Sequence, residues 1–186
     1  MIALCPGFNF ESFVILDPLC KAIPVKINLV TNFENMGGKS KQNQPIHFYF
    51  EEVHPTLKNR NKFKTFISYV VTREKRHLHS LNYILCRDEV LLEINREYLA
   101  HDYYTDVISF DLSSTPHEIL ADIYISVDRV KDNAKSLKLS FIKELHRVMI
   151  HGLLHLCGYN DKTDSQRRLM RNKESFYLNV YFTRFT

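Results

Sequence analysis

From Ile46 onward the apolar positions fall into a regular series of short runs and helical stripes. The segment IHFYFEE, starting at Ile46, alternates weakly and is rich in aromatic residues, which predicts a strand. In TLKNRNKFKTFISYVVTREKR the apolar positions Leu57, Phe63, Phe66, Ile67, Val70 and Val71 recur near helical spacing, with basic residues opposite them. LNYILC, Leu81 to Cys86, reads as a second strand. Asp88 is the expected N-cap of a helix carrying Val90, Leu91, Ile94 and Tyr98. Two more strand-like runs, DVISFDL and EILADIYIS, flank SSTPH, a segment suited to a loop or hairpin connection.

Asp128 to Leu137 reads as a short basic helix. Ser140 to about Leu156 reads as a longer one, with Ile142, Leu145, Val148, Met149 and Leu153 on one stripe. Thr163 and Gln166 have the spacing of a capping box, opening a last helix through roughly Tyr177. The order β-α-β-α-β-β-α-α-α predicts a single α+β domain at residues 45–186, with a roughly four-stranded mixed sheet packed by helices. Residues 1–44 differ. Their short apolar pieces are broken by proline and followed by the polar NMGGKSKQNQP, so they read as an N-terminal extension: a linker, a poorly ordered tail, or a misassigned start with translation beginning near Met36.

Composition narrows the classes. At 186 residues, 45% hydrophobic and 25% charged, the chain can bury a core and does not read as disordered. A formal charge of +4 permits a polyanionic partner without requiring one. Cys5, Cys20, Cys86 and Cys157 lie far apart with no CxxC pair, which favours reduced thiols over a disulfide framework or a thiolate metal cluster. No apolar run is long enough to span a bilayer, and Pro6, Glu11, Asp17 and Pro18 interrupt any signal-peptide core. A cytoplasmic protein without a membrane partner is expected.

The stretch HGLLHLCGYND carries the candidate chemistry. On a helix, His151 and His155 project from one face a turn apart. Gly158 can end that helix, letting the chain turn so that Asp161 approaches the pair. Two imidazoles and a carboxylate can hold a zinc ion with one position open for water, the arrangement of a catalytic metal. The competing reading is of chance helical neighbours, with Asp161 capping a turn. A metallopeptidase of the H-E-x-x-H type is disfavoured, because Gly152 stands where its general base belongs.

The same stretch closely resembles the signature His-Gly-x-Leu-His-Leu-x-Gly-Tyr-Asp-His of the YbeY family of metal-dependent endoribonucleases. INREYLAHDYYTDVISFDL and EILADIYIS resemble two further segments of that family in the right order. The resemblance covers residues 46 to about 180. It implies one Zn2+ ion held by His151, His155 and Asp161, the last standing where most members have a third histidine. Leu99 stands where the family commonly has an arginine implicated in activity. Arg96, three residues earlier, is the candidate to replace it, against the commoner role of a solvated surface arginine. Ala121 replaces a glycine of the family pattern.

Among the other polar residues, His146 is read as mainly structural and Cys157 as a small buried hydrophobe. Asp106 and Asp122 are strand-associated carboxylates that either orient a metal-ligating histidine or, more commonly, bond at strand ends. Lys131, Lys135, Lys138, the pair Lys143 and Arg147, and Arg167, Arg168 and Arg171 read singly as solubilising residues and together as a polyanion track. Tyr103 and Tyr104 either stack on bases or wall a cleft.

The resemblance thus implies a single-strand-specific, metal-dependent endoribonuclease, a hydrolase of phosphodiester bonds, working in ribosomal RNA maturation (late small-subunit processing) and ribosome quality control. Its expected partners are ribosomal RNA and the small subunit, and no DNA. Two alternatives stay open: a non-catalytic ribosome-assembly factor with a mainly structural metal, and a metallohydrolase for some other substrate.

Overall fold

A computed structural model describes residues 45–186; the extension read at residues 1–44 lies outside the described residues. The strands are β1 (Ile46–Phe50), β2 (His77–Cys86), β3 (Val107–Asp111) and β4 (Glu118–Ser126). The helices are α1 (Arg60–Arg73), α2 (Asp88–Leu99), α3 (Val127–Ser136), α4 (Phe141–Leu156) and α5 (Asp164–Arg184). One mixed sheet runs in the order β1-β2-β4-β3, as expected for an α+β domain. The pairs β1–β2 and β2–β4 are parallel, and β3–β4 is an antiparallel hairpin closed through SSTPH.

The central strands are covered on both faces, so alternate side chains serve two cores. Leu81, Tyr83 and Leu85 of β2, with Ile119, Ala121, Ile123 and Ile125 of β4, join the large core formed with α1, α4 and α5. Ile84, Cys86 and Tyr124 face the other way, where Ile108 and Phe110 meet Leu91 and Ile94 of α2. Ala121 is therefore a core residue, 1% exposed, and its methyl group is accommodated. Cys86 and Cys157 are free and buried.

The helices follow the apolar stripes, with instructive departures. In α1 the buried residues are Phe63, Phe66, Ile67, Val70 and Val71. The capping box of α5 is present, with Thr163 accepting from the Gln166 N–H and Gln166 returning the bond. That helix extends past Tyr177 to Arg184, because Tyr181 and Phe185 continue to pack on Phe66, with ring centroids 5.1 and 5.4 Å away. Strand β2 begins at His77, earlier than its apolar run, since backbone pairing with β4 needs no apolar side chain.

Asp88 is not the N-cap of α2 but its first residue. Its carboxylate accepts from Ser126 Oγ at 2.6 Å and Arg129 Nε at 2.7 Å, tying α2 to the start of α3. Arg87 precedes it without a side-chain cap.

Ala100 ends α2 in the left-handed region, at φ 54° and ψ 29°. A β-carbon is disfavoured there, and glycine is not. Ala100→Gly is expected to raise the unfolding free energy by about 1 kcal/mol. Chemical denaturation should show the midpoint rising at constant slope.

Candidate metal centre

Helix α4 brings the histidines together. Between Glu144 and Leu156 every residue except Arg147 is buried. Such a helix lies flush against its neighbours, and Gly152 permits it: a β-carbon there would stand 2.9 Å from Ile123 Cγ2 and 3.0 Å from Ser109 Oγ. Ser109 Oγ donates to the Gly152 carbonyl at 3.3 Å across the same contact. Glycine therefore does more than fail to be a general base, because no glutamate fits between α4 and the sheet.

The helix ends in a Schellman turn, with the Gly158 N–H on the His155 carbonyl at 2.8 Å and the Tyr159 N–H on the Leu154 carbonyl at 3.1 Å. Gly158 supplies the required positive φ of 98°. The turn points the Tyr159 carbonyl back at His155, which donates to it through Nδ1 at 2.8 Å. A carbonyl can only accept, so the proton of this imidazole sits on Nδ1. On the other histidine, His151 Nδ1 donates to Glu174 Oε1 of α5 at 2.5 Å.

Both rings thus turn Nε2 toward the same point. The two Nε2 atoms lie 2.9 Å apart, and each is 3.9 Å from Asp161 Oδ2. One ligand atom from each of the three residues falls within 4.8 Å of the others, and all three residues are buried. With Nδ1 carrying the proton on each ring, two nitrogen lone pairs and a carboxylate oxygen face one another, a donor set that fits a divalent cation. Burial, then the neighbouring His151, pushes His155 down to about 2, so it stays a neutral donor. Burial raises Asp161 above the usual carboxylate range, partly offset by His151.

Behind the histidines lies a buried ionic chain. Arg147 binds Glu144 through two bonds of 2.9 and 2.7 Å, and its Nη1 donates to Glu174 Oε2 at 3.3 Å. Asp106 Oδ2 lies 3.6 Å from Arg147 and accepts from Asn133 at 3.2 Å. Burial alone would raise the Glu174 pKa, but the hydrogen bond from His151 and the charge and hydrogen bond of Arg147 outweigh it and hold Glu174 below the ordinary range. Glu174 and Tyr159 were missed at the level of sequence. Glu174 did leave a signal, as a carboxylate on the stripe of Met170, Tyr177 and Tyr181.

Other expectations are redistributed. Arg147 is no part of a cationic track with Lys143, being engaged inside the protein. Arg167 is spent on the Asp161 and Lys162 carbonyls and on Asp164. Lys135, Lys138, Arg168 and Arg171 are exposed. Arg96 is exposed and bonds Asp102 at 2.5 Å, while Leu99 is half-buried against the smaller core. Asp122 accepts from Asn82 at 2.7 Å, alternating in β4 with the α4-facing Ile123, so it does not orient the histidines. Asp106 reaches them only through Arg147 and Glu174. Tyr103 stacks on His101, whereas Tyr104 is 51% exposed beneath Arg129. Burial pushes the Cys157 thiol up to about 12, consistent with an inert hydrophobe.

His146 faces away from the cluster, between Phe63 and Tyr181 at 4.8 and 4.6 Å, with Nδ1 on the Ile142 carbonyl.

Fold and cluster together define an α+β protein whose two histidines and carboxylate could hold one metal ion, a donor set of the kind with which hydrolases activate water. A family model described as Endoribonuclease YbeY matches residues 48–181. A protein named Endoribonuclease YbeY from Cytophaga hutchinsonii is 46% identical over 137 residues, 74% of this chain and 96% of the relative. Another of that name from Flavobacterium johnsoniae is 48% identical over 129 residues, 69% of this chain and 91% of the relative. The solution structure of TM1509 from Thermotoga maritima superposes with a TM-score of 0.53 at 27% identity, covering 73% of this chain and 89% of that one. The chain belongs to the YbeY family.

Two outcomes follow from this geometry. Gly152→Ala should cost about 1–3 kcal/mol in denaturant unfolding, because Ile123 and Ser109 must give way. Burial holds His146 below its ordinary value of 6.5, outweighing its bond to Ile142. The unfolded chain therefore takes up that proton first, so the stabilisation is complete above 6.5 and lost as pH falls below it. Metal-free protein unfolded at stepped pH should show this decline, and His146→Phe should make it shallower. An unchanged slope would refute the assignment.

Proposed function

We propose that the chain is a zinc-dependent, single-strand-specific endoribonuclease acting in ribosomal RNA maturation, with His151, His155 and Asp161 as the metal ligands. The observation that carries this reading is the convergence of both Nε2 atoms and Asp161 Oδ2, with each imidazole proton tied to a separate acceptor. Membership of the family makes the protein a ribonuclease, a hydrolase of phosphodiester bonds. A zinc ion held by His151, His155 and Asp161 would supply Lewis-acid chemistry, acidifying a water and drawing charge from the phosphoryl group.

The chain's own residues supply the rest. Glu174 fixes the His151 ring and its tautomer, and Tyr159 does the same for His155. Asp161 would contribute a negative ligand where a third histidine is usual, which would strengthen the attraction for a dication and make water activation there somewhat weaker. Arg96 is the candidate phosphate-binding cation in place of the arginine absent at Leu99; it must exchange its partner Asp102 for the phosphate. Lys135, Lys138, Arg168 and Arg171 present positive charge to the RNA backbone, and Tyr104 presents a ring to a base. No helix among the described residues is long and apolar enough to cross a membrane. Work on the small subunit in the cytoplasm, in late processing and quality control, fits these properties.

A non-catalytic assembly factor is the reading favoured by Leu99, whose aliphatic side chain packs on the smaller core and cannot hold a phosphate. Cleavage of single-stranded ribosomal RNA with and without chelator separates the two. The nuclease reading expects chelator-sensitive cleavage that disappears in His151→Ala. It also expects bound zinc to weaken roughly 10–100-fold in Glu174→Gln, and to fall in Asp161→Ala by elemental analysis. Ribosome or RNA binding without metal-dependent cleavage would establish the assembly factor instead.

A further inference from the structure

The edge of the sheet away from β3 carries a groove of about 340 Å³, lined by His47, Phe48, Tyr49, Arg60, Asn61 and Lys64. Among the described residues β1 pairs only with β2, so its outer edge forms no ladder. Its aromatic side chains are half-buried. Phe48 stacks on Tyr83 at 5.6 Å, with Lys64 Nζ 5.9 Å above the Phe48 ring and the Arg60 guanidinium 5.4 Å above Phe50. His47 and Tyr49 lie together on the opposite side of the strand, 6.3 Å apart.

The charge here is of one sign. From Val53 to Arg73 the sequence holds no Asp or Glu, while Lys58, Arg60, Lys62 and Lys64 cluster at the start of α1. Among the described residues none of these four makes an ion pair, whereas Arg87, Arg96, Arg129, Arg147, Arg167 and Lys173 all do. The first turn of α1 contains no acidic side chain, and its N-cap Asn59 makes no side-chain capping bond, so the helix dipole adds to the field. At the far end of β1, Glu52 is drawn off toward Arg87.

We infer that this groove binds a single-stranded stretch of RNA outside the cleavage site, with Arg60 and Lys64 on phosphates and the half-buried rings of His47 and Tyr49, which line it, as stacking platforms. Unpaired cations interleaved with π faces are the chemistry that recognises a flexible polyanion carrying bases. An acidic peptide would use the charge but not the rings. The inference rests on RNA being the substrate, and it concerns a surface distinct from the metal centre. Helix α1 separates the two. Its 14 residues span about 20 Å, and beyond its last turn Glu74 accepts from the Tyr159 hydroxyl, the residue whose carbonyl holds His155. Only an RNA long enough to cover that span engages both places, so the groove should favour long substrates over short ones.

The test uses the full chain and the double variant Arg60→Gln/Lys64→Gln, whose side chains are not buried. Fluorescence anisotropy would follow binding of single-stranded oligoribonucleotides of about 20 and about 4 nucleotides across a salt series, with metal content measured alongside. The expected result is binding of the longer RNA weakened about tenfold, with the salt slope reduced by about 1.4 for two lost phosphate contacts. The shorter RNA and the metal content should be unaffected. Unchanged affinity and slope for the longer RNA would overturn the inference. So would equal losses at both lengths, which would place the two cations at the cleavage site. Absence of chelator-sensitive cleavage by the unsubstituted protein is a separate failure, that of the nuclease reading, and leaves the binding comparison to decide the groove.

Discussion

Helix α4 is buried over most of its length and yet carries Glu144, His146, Arg147, His151 and His155. Each of these must find a partner inside the protein, because leaving a charged or polar group unpaired in a dry environment is costly. Much of the architecture answers that requirement. Arg147 is divided between Glu144 and Glu174, and Glu174 is divided between Arg147 and His151. The Schellman turn aims a carbonyl at His155, and Asp106 reaches over from the start of β3. The metal-type cluster is the end of this chain of obligations, where the remaining nitrogen atoms face a carboxylate.

The same constraint explains what could be read from the sequence. The apolar stripes of α1 and α4, the capping box at Thr163 and the four strand runs all express local periodicity, and the elements follow them closely. His151, His155 and Asp161 were legible because they sit in one short stretch. Glu174 was not read, because its relation to His151 depends on how α5 docks, which no local pattern states. Arg147 and Arg167 misled for a related reason. A basic side chain looks the same in sequence whether it meets solvent or a carboxylate across the core. Asp88 shows the limit of capping signals, since a carboxylate at a helix start can be claimed by Ser126 and Arg129.

The departures from the usual family pattern have different physical weight. Ala121 is absorbed by the core with no visible consequence. Asp161 keeps a carboxylate oxygen 3.9 Å from both Nε2 atoms while changing the charge of the cluster. Leu99 removes a cation altogether and gives α2 an extra apolar contact, so positive charge near the phosphate must come from elsewhere. The cations that can provide it are the exposed ones, since Arg147 and Arg167 are already committed.

The bond from Glu174 to His151 also bears on what the signature stretch can do alone. The whole signature, His151 through Asp161, precedes α5 in the chain, whereas the acceptor that sets the His151 tautomer, Glu174, lies on α5. That acceptor is in place only where α5 packs beside α4. The recognisable motif is thus not sufficient by itself: its first histidine is oriented by a residue that lies outside it, on the last helix of the chain.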